Sequence, residues 1–142
     1  MDEIEQIIKT NISYYLAHAI GSLGYKESKH FRNKKEHDKF IHKFDKAISH
    51  NKKLLFVKHH IDNYDSEFPI WVAIELFTMG MLEVFYKNLN TPHQKEIAKT
   101  FGVSINIFKS WLSCIVYLRN LSAHYMRLYN INISIEALRY TG

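Results

Sequence analysis

Proline and glycine are scarce in this chain, with two and five copies among 142 residues. So few breakers leave long stretches free to stay helical, and their apolar residues recur at helical rather than alternating spacing. A turn-rich β fold is excluded on that ground, and the expectation is an all-α bundle of about five to six helices. Cysteine is scarcer still, since Cys114 is the only one. A lone thiol cannot close an internal disulfide, which fits a reducing compartment, and its apolar neighbours Leu112 and Ile115 predict a buried structural role. No apolar run approaches the roughly 20 residues that a bilayer span needs, and the strongest, Ser110 to Leu118, falls far short. The opening Met1-Asp2-Glu3-Ile4-Glu5 is acidic where a secretory leader is basic. These absences predict a cytoplasmic protein without a membrane role. What is present is a hydrophobic content of 46%, enough for a real core in one domain spanning residues 1–142.

Charge is unevenly spread. The formal net charge is +5. Between Lys26 and Lys58 stand ten lysines and Arg32 against Glu27, Glu36, Asp38 and Asp45, a surplus of seven that leaves the remainder at −2. Six of the nine histidines (His30, His37, His42, His50, His59 and His60) lie in or beside this block. A second region, Ser104 to Ile135, has no carboxylate to balance Lys109, Arg119 and Arg127. Concentrated cations are the footprint of a polyanion binder, although ordinary helical surfaces carry them too. The neighbouring His59 and His60, with His37 and His42, invite a metal reading. Adjacent histidines point to different sides of a helix and no acidic or thiol partner set stands near, so they read as surface residues. The expectation is no metal and no cofactor.

Helical spacing then orders the chain. A first helix is expected from about Asp2 to His18 or Ile20, with Ile4, Ile7, Ile8, Ile12, Tyr15, Leu16 and Ala19 as its stripe, and a loop from Ser22 to Asn33. A basic amphipathic helix from Lys35 to His50 buries Phe40, Ile41, Phe44, Ala47 and Ile48. A shorter helix over Leu54 to Asp62 and a connector over Asn63 to Phe68 follow. Pro69 then opens a long core helix carrying Trp71, Ile74, Thr78, Met81, Leu82, Phe85 and Leu89, widened by Leu76, Phe77 and Val84. Thr91-Pro92 starts a short helix that Phe101-Gly102 closes. Ser104 caps the last long helix, which is apolar nearly all round between Trp111 and Leu118 and so belongs at the bundle centre or a subunit interface. Asn132 to Gly142 forms a short helix or frays.

That last helix carries the chemistry. Arg119, Asn120, His124 and Arg127 fall within nine residues. Asn120, His124 and Arg127 are spaced i, i+4 and i+7 and share a helix face. An imidazole can shuttle a proton near neutrality, a guanidinium can neutralise a phosphate, and an amide can orient either. The same residues would also suit a solvent-facing helix end. Tyr125 and Tyr129 flank the group and could stack on a base, although packing is the simpler reading. Glu75, mid-helix among apolar residues, is expected to pair with a buried cation such as Lys9 or Arg119 rather than act as a base.

The string Arg119-Asn120-Leu121-Ser122-Ala123-His124 resembles the R-N-x-x-x-H signature of HEPN domains, which are helical and often ribonucleolytic. With Trp111-Leu112, Leu118 and Arg127-Leu128-Tyr129-Asn130 added, it resembles the Abi-like (abortive infection, AbiD/AbiF type) branch, which reads L-R-N-x-x-A-H-x-x-R-L-[WY]-N. Pro69-Ile70-Trp71 through Glu75 and on to Thr78 and Gly80 is similar to that family's P-x-W-x-x-x-E-x-x-[ST]-x-G helix. Ile4-Glu5, Lys9-Thr10 and Tyr14-Tyr15-Leu16 are similar to its I-E…R-T…Y-Y-L helix, with Lys9 replacing the family's arginine and losing its planar fork. The resemblance spans almost the whole chain. Family members usually carry a further helical region ahead of the I-E helix, so the expectation is a domain lacking that upstream region.

What the resemblance implies is a metal-independent endoribonuclease of a phage-defence or toxin–antitoxin system. It would work as a homodimer whose two motifs meet in a composite cleft, restrained by a protein or RNA antitoxin. Arg119 would hold the scissile phosphate, His124 would act as general acid or base during 2′-hydroxyl attack, and Asn120 would position one of them. Arg127, Asn130, Tyr125 and Lys109 would support the site or bind RNA. The alternative is a non-catalytic RNA-binding or protein-interaction module of the same system.

Overall fold

A computed structural model describes residues 2–50 and 67–141. Among them are six α-helices: α1 (Asp2–Ile20), α2 (Lys34–His50), α3 (Ile70–Ala73), α4 (Met79–Asn88), α5 (Thr91–Thr100) and α6 (Ile105–Thr141). The all-α expectation holds. The expected helix over Leu54 to Asp62, most of the connector after it, and His59 and His60 lie outside the described residues. The stretch read as a loop after α1 carries two short 3-10 turns, Gly24–Lys26 and Ser28–His30. It ends in an isolated antiparallel bridge between Phe31 and Leu89.

The core is built largely from phenylalanine. Phe31, Phe40, Phe44, Phe68, Phe77 and Phe85 are all buried. Phe77 sits among three of them, with ring centroids 4.9 Å from Phe40, 5.7 Å from Phe44 and 5.3 Å from Phe85. Offset and edge-on contacts of this kind add to the burial of each ring. Around this cluster α1 packs on α3 and α5, α2 on α4, and α4 along the first turns of α6. Phe108 and Leu112 are the buried residues of α6, and Phe108 closes a second ring group with Tyr86 at 4.7 Å and Phe101 at 5.0 Å. Burial pushes the Tyr86 phenol up to about 12, and its hydroxyl donates to the Gln94 carbonyl at 2.7 Å.

The long helix expected after Pro69 is broken. Pro69 is the N-cap of α3 rather than its first residue, a 3-10 turn follows over Ile74–Leu76, and Phe77 is extended with ψ 132°. Thr78 then caps α4 by accepting from the Met81 amide at 3.1 Å. The break places an extended residue at Phe77 while Phe77, Met81 and Phe85 all stay buried; a helical period cannot register such a kink. It also leaves Trp71 54% exposed and Val84 exposed, against expectation. Two further helix ends were readable. Gly102, at φ 70°, closes α5 as a Schellman motif, with Gly102 N–H donating to Lys99 O at 2.9 Å and Val103 N–H to Ala98 O at 3.2 Å. Ser104 caps α6 by accepting from the Ile107 amide at 3.3 Å.

Three burial expectations are corrected. The α1 stripe turns on Glu5, Ile8, Ile12 and Leu16, whereas Ile4, Ile7 and Ala19 face outward. His37 is buried rather than on the basic surface, its Nε2 2.8 Å from the Tyr25 carbonyl. Cys114 is exposed. Among the described residues, no single helix is long and apolar enough to cross a membrane.

The expected outcome of Phe77→Ala is a loss of about 3–5 kcal/mol in urea unfolding, the range for emptying a buried aromatic site. A loss under about 1 kcal/mol would show that the ring cluster does not organise the core.

Candidate functional site

Helix α6 is 37 residues long, about 55 Å at the α-helical rise. Only its first third lies on the body. From Tyr117 to Ile133 every residue except Leu121 is exposed. The helix is therefore not at the bundle centre, and Asn132 to Thr141 neither fray nor start a new element but continue it. Tyr125 and Tyr129, expected to pack, are 62% and 61% exposed.

The motif begins where α6 leaves the body. Arg119 Nε stands 2.7 Å from Oε1 of the buried Glu5, an ionic contact that lacks the in-line geometry of a directed hydrogen bond. Glu5 reaches this position because it lies on the inward face of α1, three and seven residues before Ile8 and Ile12. Lys9, one turn further along α1, donates from Nζ to the Phe77 carbonyl at 2.8 Å. That carbonyl is available because the helix is broken there. Burial pushes the Lys9 ammonium below its ordinary range; Glu75 and Glu5 push it back up, and Arg119 pushes it down. Glu75 is exposed and accepts from Gln6 Nε2 at 2.9 Å, so the expected Arg119–Glu75 pairing is replaced by Arg119–Glu5. Lys9 remains within electrostatic reach of Glu75.

These groups border one cleft of about 660 Å³, lined among others by Lys9, Glu75, Thr78, Gly80, Arg119 and Asn120. Three separate strings of the sequence thus meet at one place: Glu5 and Lys9 of α1, Glu75 to Gly80 at the helix break, and Arg119 and Asn120 of α6. His124 is not part of the cleft lining. It is exposed, with its ring centroid 6.2 Å from that of Tyr125. Arg119 and His124 lie about 140° apart around the helix, so one copy of the chain does not bring them together. Arg127 and Asn130 are exposed further out on the same helix. Lys109 is elsewhere, half-buried in a different cleft near the start of α6. Glu5 stood in the sequence only as part of the I-E string, and its role as the partner of Arg119 was missed. Its signal was a carboxylate in register with the inward isoleucines.

The outer face of α6 has its own order. Ile107, Trp111, Cys114, Leu118, Leu121, Tyr125 and Leu128 alternate at spacings of four and three, the period of a coiled-coil seam. All are exposed except the half-buried Leu121. Beside them an apolar groove of about 320 Å³ is lined by Ile4, Ile7, Ile8, Phe101, Trp111, Cys114 and Ile115. In that register His124 borders the seam.

An all-α bundle that joins an I-E helix, a broken P-x-W helix and a projecting R-N-x-x-x-H helix at one cleft defines a class of protein. The chain belongs to the Abi-like protein family, whose model matches residues 1–130. Membership points to abortive infection, a form of phage defence. Comparison with curated proteins and with solved structures gives no match.

The ion pair carries an asymmetric expectation. Arg119→Ala leaves the Glu5 carboxylate buried without its guanidinium and should cost a few kcal/mol, whereas Glu5→Gln leaves a half-exposed arginine in water and should cost about 1 kcal/mol or less. The double variant Glu5→Gln/Arg119→Ala should recover most of the loss in urea unfolding. Equal costs for the two single variants would contradict the pairing.

Proposed function

We propose that the protein is a metal-independent endoribonuclease that arrests growth in abortive infection, with its cleavage site shared between the two copies of a homodimer. The observation that carries this reading is the placement of the motif. Arg119 and His124 sit on different sides of a helix whose motif-bearing part, almost wholly exposed from Tyr117 onward, ends in solvent within one chain. A second α6 laid along the Ile107–Leu128 seam would cover apolar residues that are otherwise wet, and would set each His124 beside the partner copy. The groove at Ile4, Ile7 and Trp111 extends the same apolar surface. The resemblance to HEPN domains supplies the roles.

In that reaction His124 takes the proton of a ribose 2′-hydroxyl or returns one to the leaving 5′-oxygen. The 2′-oxygen attacks phosphorus, the bond from phosphorus to the 5′-oxygen breaks, and a 2′,3′-cyclic phosphate remains. Arg119 neutralises the developing charge. Its Nε faces Glu5 while the side chain is half-exposed, so the planar end of the fork can serve an incoming phosphate. Asn120 donates to the same phosphate or orients the imidazole. Arg127 and Asn130 support the strand beyond the cut, and Tyr125 offers an exposed ring for base stacking. RNA is the substrate, the cytoplasm is where it is met, and an antitoxin of protein or RNA restrains it.

One observation favours a second reading. Within one chain Arg119 is already engaged by Glu5 and His124 stands outside the cleft. That arrangement suits a non-catalytic RNA-binding or protein-interaction module.

Cleavage of total RNA separates the two. Wild type should cut it, and His124→Ala should reduce cleavage by about 100-fold or more, the scale of a lost general acid–base, with an unchanged melting temperature because the side chain is exposed. Arg119→Lys keeps a cation beside Glu5 and is the safer test of that position; it should also lower cleavage. Leu118→Glu should give monomers in light scattering and lose cleavage although none of Arg119, Asn120 and His124 is changed. RNA binding without any cleavage by wild type would establish the module instead.

A further inference from the structure

A second cleft, larger than the one at the motif, is lined by basic residues. It measures about 770 Å³ and lies at the opposite end of the body part of α6. Four cations line it: Arg32, Lys95, Lys99 and Lys109. Among the described residues no carboxylate lines it, and none of the four is in an ion pair. Lys95 and Lys99 stand one turn apart on α5, where like charges repel. Four cations around one cavity without a counter-charge create a positive potential that attracts an anion.

The frame around them is rigid. Arg32 is fixed by the bridge between the first connection and the end of α4, its amide donating to the Asn88 carbonyl at 2.7 Å. Asn88 and Asn33 lock the same corner, with Asn88 Oδ1 accepting from the Asn33 amide and Nδ2 donating to the Asn33 carbonyl, each at 3.0 Å. Gln94, buried at the floor, donates to the Tyr86 and Lys87 carbonyls at 3.0 and 2.8 Å. On the far wall lie Ser104 and Asn106, at the start of the longest helix in the chain. The amides of Ile105 and Asn106 belong to a first turn that has no intrahelical acceptor. They add partial positive charge to the same cavity.

We propose that this cleft binds a chain of phosphate groups. Its volume takes more than a single phosphate, and its cations surround the cavity from three elements rather than lying along one face. Two sources share that chemistry, the backbone of an RNA strand and a free nucleoside polyphosphate. The RNA source builds on the proposed function: Lys109, Asn120 and Arg127 stand eleven and seven residues apart, nearly in line along α6. A strand held at Lys109 would then run about 16 Å to reach the motif. The site itself does not depend on cleavage.

Inorganic tripolyphosphate is the probe, titrated calorimetrically into the full chain. Wild type should bind it saturably, and Lys95→Gln/Lys99→Gln/Lys109→Gln should weaken it at least tenfold with an unchanged melting temperature. Lys39→Gln/Lys43→Gln, which removes exposed charge from α2, should leave the compact anion bound as in wild type. No saturable binding by wild type, or equal loss in the α2 variant, overturns the proposal. The source is then read with a 12-nucleotide single strand and with ATP. If the cleft holds RNA, the triple variant's salt dependence of RNA binding should flatten by about two in log–log slope. If it holds a nucleotide, ATP should bind with tripolyphosphate's variant sensitivity while RNA binding is unmoved. His124→Ala should match wild type in the tripolyphosphate and ATP titrations, which separates this site from the nuclease reading.

Discussion

A buried carboxylate on the first helix meets a guanidinium on the last, and the rest of the arrangement follows from that contact. Glu5 lies on the inward face of α1, where an unpaired charge is costly. Arg119 answers it from α6. With Phe108 and Leu112 buried below, the contact sets the rotation of α6 about its axis. Once that rotation is set, Asn120 borders the cleft, His124 lies a turn further out and beyond its lining, and the seam from Ile107 to Leu128 faces outward. Lys9 ties the same corner to the Phe77 carbonyl, so the break between α3 and α4 is part of the site's frame. The core and the site thus share a residue: Phe77 gives its ring to one and its carbonyl to the other.

The energetic contrast along α6 explains why the chain reads as incomplete by itself. Its first third is covered by α4 and α5 and carries the buried Phe108 and Leu112. The remainder exposes Tyr117, Leu118, Tyr125, Met126, Leu128, Tyr129, Ile131 and Ile133. Isolated helices gain little from propensity alone and are held by packing of an apolar face. A projecting helix of this composition therefore asks for a partner surface, and the four-three spacing of its outer residues fits another helix of the same kind. Twofold pairing would bring two copies of the motif to one place, which a nuclease sharing its arginine and histidine across the pair requires.

Much of the architecture was legible in the sequence because local signals and packing agree. The ends of α1, the Gly102 stop and the Ser104 cap rest on chemistry confined to a few residues, and the structure keeps them. The break at Phe77 was not legible, since Trp71, Ile74, Thr78, Met81 and Phe85 fit one helical period whether or not the helix is continuous. Only the tertiary structure shows the extended residue at Phe77, whose ring stays within the phenylalanine cluster. Burial of Cys114 and of Tyr125 was misjudged for a related reason. An apolar helix reads the same whether its cover comes from its own chain or from another. The motif residues were found as a string, but their partners Glu5 and Lys9 lie more than a hundred residues away. The basic cleft was not foreseen as a unit, because its four cations come from distant parts of the chain and only Lys109 stood out.

The central claim is that arginine and histidine of different copies act on one phosphodiester. It is tested most directly by mixing two impaired proteins, His124→Ala and Arg119→Lys, after unfolding and joint refolding. Shared sites predict recovery to roughly a quarter of wild-type RNA cleavage, since half the dimers are mixed and each has one intact site. Cleavage no greater than either variant gives separately, with mixed dimers demonstrably formed, would contradict the account.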